Sequence, residues 1–436
     1  MTRFLVVAVL LLCAACSGTP AKPKEQANIV FVLADDLNTR LLPYLPGLDK
    51  MLPARGLALQ MTVPTPVCAP SRATILTGRY AHNTTVKGNG PLRGGIWAFE
   101  RTGAEKSTFA VWLRDVGYHT GFFGKYLNEQ DQADQAVPPG WDRWVGYGKM
   151  TLSRVGYSVI ENGKPIRVVE KEYDTDFFAA RANEWLETVP EPFLAVWSPM
   201  TPHGPFVPPE RHHGRFDDVK LKWPPSFAAN EQEVAQLTRT RLEMMLGLED
   251  GLRALLATLE KRGLLDRTYI FFTSDHGLFM GEHGFPAGKG ETYDETTRVP
   301  LFVRGPGVPV GRSDALIAST DLAPTFAAIG GATVPDNVDG RSVLPLLHGQ
   351  KVDQPRRRML LEWFDQDGTA PWLAMREADD KYVRTKDGSC LHFDTKNDPY
   401  EMSPTPCDAE QAKRTSATVD ALATCAGATC VEVEHR

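Results

Sequence analysis

Cys68 and Arg72 stand four residues apart in the run Cys68-Ala69-Pro70-Ser71-Arg72-Ala73-Thr74-Ile75-Leu76-Thr77-Gly78. On a helix, that spacing brings two side chains onto one face. Pro70 suits the first turn of such a helix, because the N–H it lacks would have no partner there. Unpaired backbone N–H groups and the helix dipole then favour an anion at Cys68. Arg72 can present its guanidinium beside whatever residue 68 carries. The pattern reads as a nucleophile and an oxyanion clamp within one turn. From these residues alone, a buried structural cysteine before an ordinary helix is the alternative.

A second set of polar residues follows short apolar runs. Ile29–Leu33, His119–Phe123, Phe193–Trp197, Tyr269–Thr273 and Leu301–Val303 are β-branched or aromatic and predict buried parallel strands. Asp35-Asp36 follow the first run, Lys125 the second, His203 the third and Asp275-His276 the fourth. Open α/β sheets bind ligands at the carboxyl ends of their strands, so one rim would receive all of these groups. Adjacent carboxylates repel unless a cation neutralises them. Three carboxylates suit a hard cation such as Ca²⁺ or Mg²⁺. His276 is the awkward donor, since nitrogen suits transition metals better. Either acidic pair taken alone also fits a solvated loop.

Helical patterns lie between the runs. One is capped by Ser107, extends to Val116 and stops at Gly117. A longer one covers about Glu231–Arg262, with Met245, Leu248, Leu252, Leu255 and Leu259 on one stripe. A third covers Asp321–Ile329 before Gly330-Gly331. The alternation predicts an α/β fold with a large, mostly parallel sheet flanked by helices.

A chain of 436 residues, 42% apolar and 23% charged, can build a large core and two domains. A net charge of −6 without any basic run argues against a nucleic-acid binder. After Gly340–Leu347 the texture changes, and 358–363, 382–384 and 391–393 read as strands of a smaller α+β subdomain. The expected division is 28–350 and 351–436. Arg3 and the apolar run Phe4–Leu12 read as an export signal, too short to span a bilayer. Cys13-Ala14-Ala15-Cys16-Ser17-Gly18 looks like a lipobox with Cys16 as the lipidated residue, although Cys13 stands where Leu is usual. Residues 1–16 would then be the signal and 17–27 a tether, in an exported surface lipoprotein or a secreted or periplasmic protein. Plain secretion is the alternative to a membrane anchor through Cys16. Cys390, Cys407, Cys425 and Cys430 allow three disulfide pairings, with Cys425–Cys430 a plausible local pair; free thiols are the alternative.

Residues 68–78 also resemble the type I sulfatase signature C-x-P-x-R followed by L-T-G, with every fixed position present. Further motifs resemble that family in order. Asn28–Asp36 looks like its opening strand with two metal-binding aspartates. Gly117–Tyr126 is similar to its second signature, whose Lys binds sulfate, here Lys125. Pro202-His203 matches its active-site His, and Ser274–Gly277 its second metal pair. Lys289–Asp294 matches the segment carrying the second sulfate-binding Lys, here Lys289, while Val338–Ser342 and Asn397–Glu401 match late landmarks.

The resemblance implies an alkaline-phosphatase-like fold and a sulfuric ester hydrolase. It implies oxidation of Cys68 to formylglycine by a formylglycine-generating enzyme during maturation. It implies a metal, Ca²⁺ or else Mg²⁺, on Asp35, Asp36, residue 68, Asp275 and His276. Catalysis would use residue 68, Arg72, Lys125, His203 and Lys289, with His203 or Lys289 protonating the leaving alcohol. Leu127 stands where many arylsulfatases have His. Gly124–Glu129 and Pro138–Trp141 are instead similar to the N-acetylglucosamine-6-sulfatase and heparan 6-O-endosulfatase branch. That tilts the substrate from aryl sulfates or other small sulfated molecules toward sulfated glycans. His212-His213 read as a solvated loop, with a place in the substrate pocket as the alternative. The alternatives are a phosphate or phosphonate ester hydrolase on the same scaffold, and a non-catalytic glycan-binding surface lipoprotein.

Overall fold

The computed structural model describes residues 26–436 except 92, 134–136, 149–152, 168–171, 353 and 365–370. The expected export signal, Cys13, Cys16 and nearly all of the expected tether lie outside the described residues. Among the described residues, no helix is long and apolar enough to cross a membrane.

Eleven described strands form one sheet. In chain order they are β1 (Asn28–Ala34), β2 (Leu57–Thr62), β3 (His119–Gly124), β4 (Arg143–Tyr147), β5 (Ser158–Glu161), β6 (Lys164–Arg167), β7 (Phe193–Ser198), β8 (Thr268–Ser274), β9 (Arg298–Arg304), β10 (Gly311–Arg312) and β11 (Ile317–Ala318). Their spatial order is β10-β2-β9-β8-β1-β7-β3-β4-β5-β6, with β11 also on β2. β8, β1, β7, β3 and β4 are mutually parallel.

β1 is buried along its whole length, as a central strand covered on both faces must be. Its side chains alternate between two cores. Ile29, Phe31 and Leu33 face one cluster, whereas Val30, Val32 and Ala34 face the other. The first core is covered by α1 (Cys68–Thr77), α2 (Phe109–Asp115) and a later helix, Leu322–Gly330. There Phe31 packs on Phe326 at 5.2 Å and Phe109 meets Phe326 edge-on at 5.1 Å. Phe326→Ala would cost about 3–5 kcal/mol at such a site. The second core is covered by α3 (Asp174–Leu186) and α4 (Glu231–Lys261), whose buried stripe includes Met245, Leu248, Leu252, Leu255 and Leu259.

Two sequence expectations need correction. The strand around Leu301–Val303 is antiparallel, not parallel, to both of its neighbours, β8 and β2. The connection 275–297 carries only the one-turn helix Asp294–Thr297, not a crossover helix, and β9 runs back against β8. The cap of α2 is Thr108, whose side chain accepts from the Val111 N–H, rather than Ser107.

A second, antiparallel sheet contains β12 (Arg358–Trp363), β13 (Trp372–Glu377), β14 (Asp380–Thr385), β15 (Cys390–Asp394) and β16 (Thr405–Pro406). The helix Ala409–Thr424 covers one face through Val419 and Leu422, which pack near Leu360 and Met375. Disulfides join Cys390 to Cys407 and Cys425 to Cys430, and among the described residues this leaves Cys68 free and buried.

Candidate active site

The parallel register of β1 and β8 pairs Ala34 with Ser274, so the residues that follow leave the sheet side by side. The Asp275 N–H donates to the Ala34 carbonyl at 3.1 Å, and the Asp36 N–H donates to Asp275 Oδ1 at 3.3 Å. Asp36 adopts φ +66°, an uncommon conformation for a residue with a side chain. β3 ends at Gly124, where φ is +126° and a Cβ would lie 2.0 Å from the Ser198 carbonyl. Only glycine permits that approach, which turns Lys125 toward Asp35. His203 follows β7, with its N–H on the Met200 carbonyl at 2.8 Å.

α1 begins at Cys68 after Val67, an extended residue whose side chain makes no cap. The missing cap comes from another loop, where Asn89 Oδ1 accepts from the Ala69 N–H at 2.9 Å. Cys68 Sγ lies 3.3 Å from His276 Nε2 and 3.2 Å from Lys289 Nζ. Lys289 Nζ also donates to Asp36 Oδ1 at 2.9 Å. Lys125 Nζ is ion-paired with Asp35 Oδ2.

Arg72 uses its guanidinium on protein acceptors. Nε donates to Asp275 Oδ2 at 2.8 Å, Nη2 to Asp35 Oδ2 at 3.0 Å, and Nη1 to the Lys125 carbonyl at 2.6 Å and Ser198 Oγ at 2.8 Å. Thus Arg72 clamps the two carboxylates together. The side chains of Arg72, Lys125, Asp35, Asp275 and His276 are buried, whereas His203 and Lys289 retain 28% and 18% exposure. The open side of the cluster is therefore the side of His203 and Lys289.

The charges shift one another strongly. Burial alone would push the Cys68 thiol up, but Lys125 and Lys289 outweigh it and hold the thiol well below its usual range. Burial likewise opposes ionisation of Asp35 and Asp36, yet the surrounding cations keep both carboxyls low. Asp275 goes the other way, raised by burial and then by the charge of Asp35. Burial works against a charged His276, but Asp275 overrides it and pushes the imidazole up to about 9. His203 is also raised, with Asp36 and Asp35 overcoming burial.

The fold brings together every residue expected at this rim: Asp35, Asp36, Cys68, Arg72, Lys125, His203, Asp275, His276 and Lys289. His212 is elsewhere, paired with Asp250 at 2.7 Å on the edge of α4. Sequence reasoning missed Ser198, Ser71, Asn89 and Arg241. Ser71 Oγ donates to the Asp275 carbonyl, and the buried Arg241 donates to the Asp36 carbonyl. Ser198 had a signal, as a polar residue at a strand's carboxyl end. Asn89 had none, because Lys87-Gly88-Asn89-Gly90 reads as a turn.

The donor set fits a divalent cation. One donor atom each from Asp35, Cys68, Asp275 and His276 lie within 4.8 Å of one another, all buried. Asp36 stands beside them, through its contact with His276 Nδ1 at 3.3 Å. A cation would relieve the repulsion that raises Asp275. His276 would bind it after losing its proton.

The sulfatase family model matches residues 27–332, and the C-terminal model of N-sulphoglucosamine sulphohydrolase matches 281–424. The N-acetylglucosamine-6-sulfatase of Homo sapiens is 31% identical over 410 residues, covering 84% of this chain and 74% of that protein. The extracellular sulfatase SULF-1 homologue of Drosophila melanogaster is 31% identical over 74% of this chain, and the chain spans only 31% of that protein's length. The chain also spans 55% of a related Caenorhabditis elegans protein. Among solved structures, one bound to its substrate D-glucosamine-2-N,6-O-disulfate superposes with a TM-score of 0.78 at 23% identity, over 91% of this chain and 97% of that one. A phosphonate monoester hydrolase from Silicibacter pomeroyi superposes at 0.70 with 22% identity, over 91% and 95% of the two chains. At those identities both superpositions show a shared fold.

Proposed function

The chain belongs to the sulfatase family, and from that premise we propose that it hydrolyses sulfate monoesters of sugars, with 6-sulfated glucosamine as the preferred class. The observation that carries this reading is Cys68 at the start of a helix, 3.2 Å from Lys289 Nζ, in a complete sulfatase signature. The thiol stands where the oxygens of a formylglycine hydrate would be. The similarity to N-acetylglucosamine-6-sulfatases supports the sugar class. Catalysis would reside in residues 28–350, with 351–436 as a C-terminal subdomain. The signal-like segment and the relatives described as extracellular support export. The lipobox-like run Cys13–Gly18 alone supports Cys16 as a lipid anchor.

Asp35, Asp36, Asp275, His276 and residue 68 would hold the cation, Ca²⁺ or Mg²⁺, which would supply Lewis acidity at the nucleophile and the sulfuryl group. Formylglycine would supply a hydrated aldehyde, whose second hydroxyl allows sulfate to leave as the aldehyde returns. A serine or cysteine lacks that second hydroxyl.

The remaining roles fall to this chain's own side chains. Arg72 holds Asp35 and Asp275 in one orientation through its contacts at 3.0 and 2.8 Å. Lys125 offsets the charge of Asp35 and binds a sulfuryl oxygen on the buried side. Lys289, at the opening, binds a second sulfuryl oxygen as negative charge builds there. His203 also faces the opening, with Nδ1 against the Gly204 carbonyl at 2.6 Å. Its Nε2, 3.7 Å from Asp36 Oδ2, is the nitrogen that would donate a proton to the leaving alcohol.

A phosphate or phosphonate ester hydrolase is the second reading, favoured by the fold shared with the phosphonate hydrolase. Assaying the matured enzyme on N-acetylglucosamine 6-sulfate, an aryl sulfate, and the matching phosphate and phosphonate esters separates the two. The expected result is the highest kcat/KM on the sugar sulfate. Higher kcat/KM on the phosphate or phosphonate esters would replace this reading with the second.

A further inference from the structure

The segment that presents Lys289 is held by the second sheet. At its start, Trp372 Nε1–H donates to the Gly290 carbonyl at 2.8 Å. Gly290 has φ +105°, and a Cβ there would come within 2.5 Å of the Trp363 ring. Trp363 and Trp372 stack with an interplanar angle of 10° and centroids 6.4 Å apart. Farther along, Lys381 Nζ donates to the Thr292 carbonyl at 2.6 Å, and Arg376 Nη1 donates to Asp294 Oδ1 at 2.8 Å.

The same sheet also reaches the other partner in the Cys68–Lys289 contact. Val67, immediately before Cys68, belongs to one apolar cluster with Trp363, Trp372 and Val383. The Glu362 N–H donates to the Pro64 carbonyl at 2.8 Å. One small sheet therefore backs both the chain entering α1 and the chain leaving Lys289. A displacement of either segment changes the distance from Lys289 Nζ to residue 68, and misplacement of a binding group by about 1 Å is costly in rate.

We propose that Trp372 is a positioning residue for Lys289: its indole N–H fixes the Gly290 carbonyl and thereby sets where the Lys289 ammonium meets a sulfuryl oxygen. This rests on the reading of Lys289 as a sulfate ligand. The C-terminal sheet then takes part in building the anion site without touching substrate.

The test compares matured wild-type enzyme with Trp372→Phe and Val419→Ala. Val419, on the helix Ala409–Thr424, packs on the other face of the second sheet, in a cluster that contains neither Val67 nor Trp372. Three quantities are read: Tm, kcat/KM on N-acetylglucosamine 6-sulfate, and the inhibition constant of inorganic sulfate. Trp372→Phe should raise the sulfate inhibition constant and lower kcat/KM, each by about tenfold. Val419→Ala should lower Tm and leave the sulfate inhibition constant at the wild-type value. If Trp372→Phe fails to fold, 3-benzothienylalanine at position 372 keeps the ring shape and removes only the N–H. Unchanged sulfate inhibition in the Trp372 variant, or an equal change in both variants, overturns the positioning role. Wild-type enzyme that neither hydrolyses the sulfate ester nor binds sulfate overturns the reading of the site itself, and the positioning role with it.

Discussion

Two buried charge networks lie on either side of α1, and they behave in opposite ways. At its C-terminal side, Arg356 donates to both oxygens of Asp321 and, at 2.9 Å, to Glu434. Arg341 adds a bond to Glu434 at 2.6 Å, and Tyr80 donates to the same carboxylate. Two arginines thus meet two carboxylates, and each carboxylate has several donors. Through Glu434, this network pins the helix Ala428–His435 to the chain that follows α1. At the N-terminal side of α1, the acids pull apart. Asp35 and Asp36 are held low while Asp275 is raised, and a thiol held low shares the space. A network whose members satisfy one another holds a fold. One whose members remain in conflict is suited to hold a cation and an anionic substrate.

The largest expected effect is on the conflicted side. Asp35→Asn weakens a proposed metal ligand and removes the charged partner of Arg72 and Lys125 together. Turnover should fall by at least about a thousandfold, with bound metal lost. Wild-type rate and metal content in this variant, read by steady-state kinetics and elemental analysis, would put the ion elsewhere. Arg356→Met tests the balanced side. It leaves two buried carboxylates short of a cation and should cost about 3–5 kcal/mol of stability in denaturant unfolding. Its kcat/KM at low temperature should stay near wild type. A comparable loss of rate at full folding would mean that the two networks are coupled. The smallest of the three effects is that of Lys289→Ala, about a hundredfold in kcat/KM. A Tm close to wild type would assign that loss to lost anion binding, and near-normal turnover would remove Lys289 from the site.

Much of the conflicted network was legible in the sequence, because it hangs on strand ends. Apolar runs followed at once by Asp35-Asp36, Lys125 or Asp275-His276 place those groups at one rim whatever the loops do. The direction of β9 was not legible. An apolar run such as Leu301–Val303 fits a buried strand of either sense, and only the path of the loop before it decides. The supports of the site were harder still. Asn89 caps α1 from a loop, and Trp372 holds Gly290 from a strand more than eighty residues on. Neither contact leaves a periodic or compositional trace. The balanced network was hidden for the same reason, since it joins Tyr80 to Glu434 across almost the whole chain.

The central claim is that residue 68 reacts as formylglycine, with the surrounding charges arranged around a sulfate ester. The most direct measurement is sulfate release from N-acetylglucosamine 6-sulfate by two preparations of the same protein. One is produced with the formylglycine-generating enzyme, the other without it, and peptide mass spectrometry reports the state of residue 68 in each. The expected result is sulfate release in proportion to the fraction carrying the aldehyde or its hydrate. Equal release from protein with an intact Cys68 thiol, or none from fully converted protein, would contradict it.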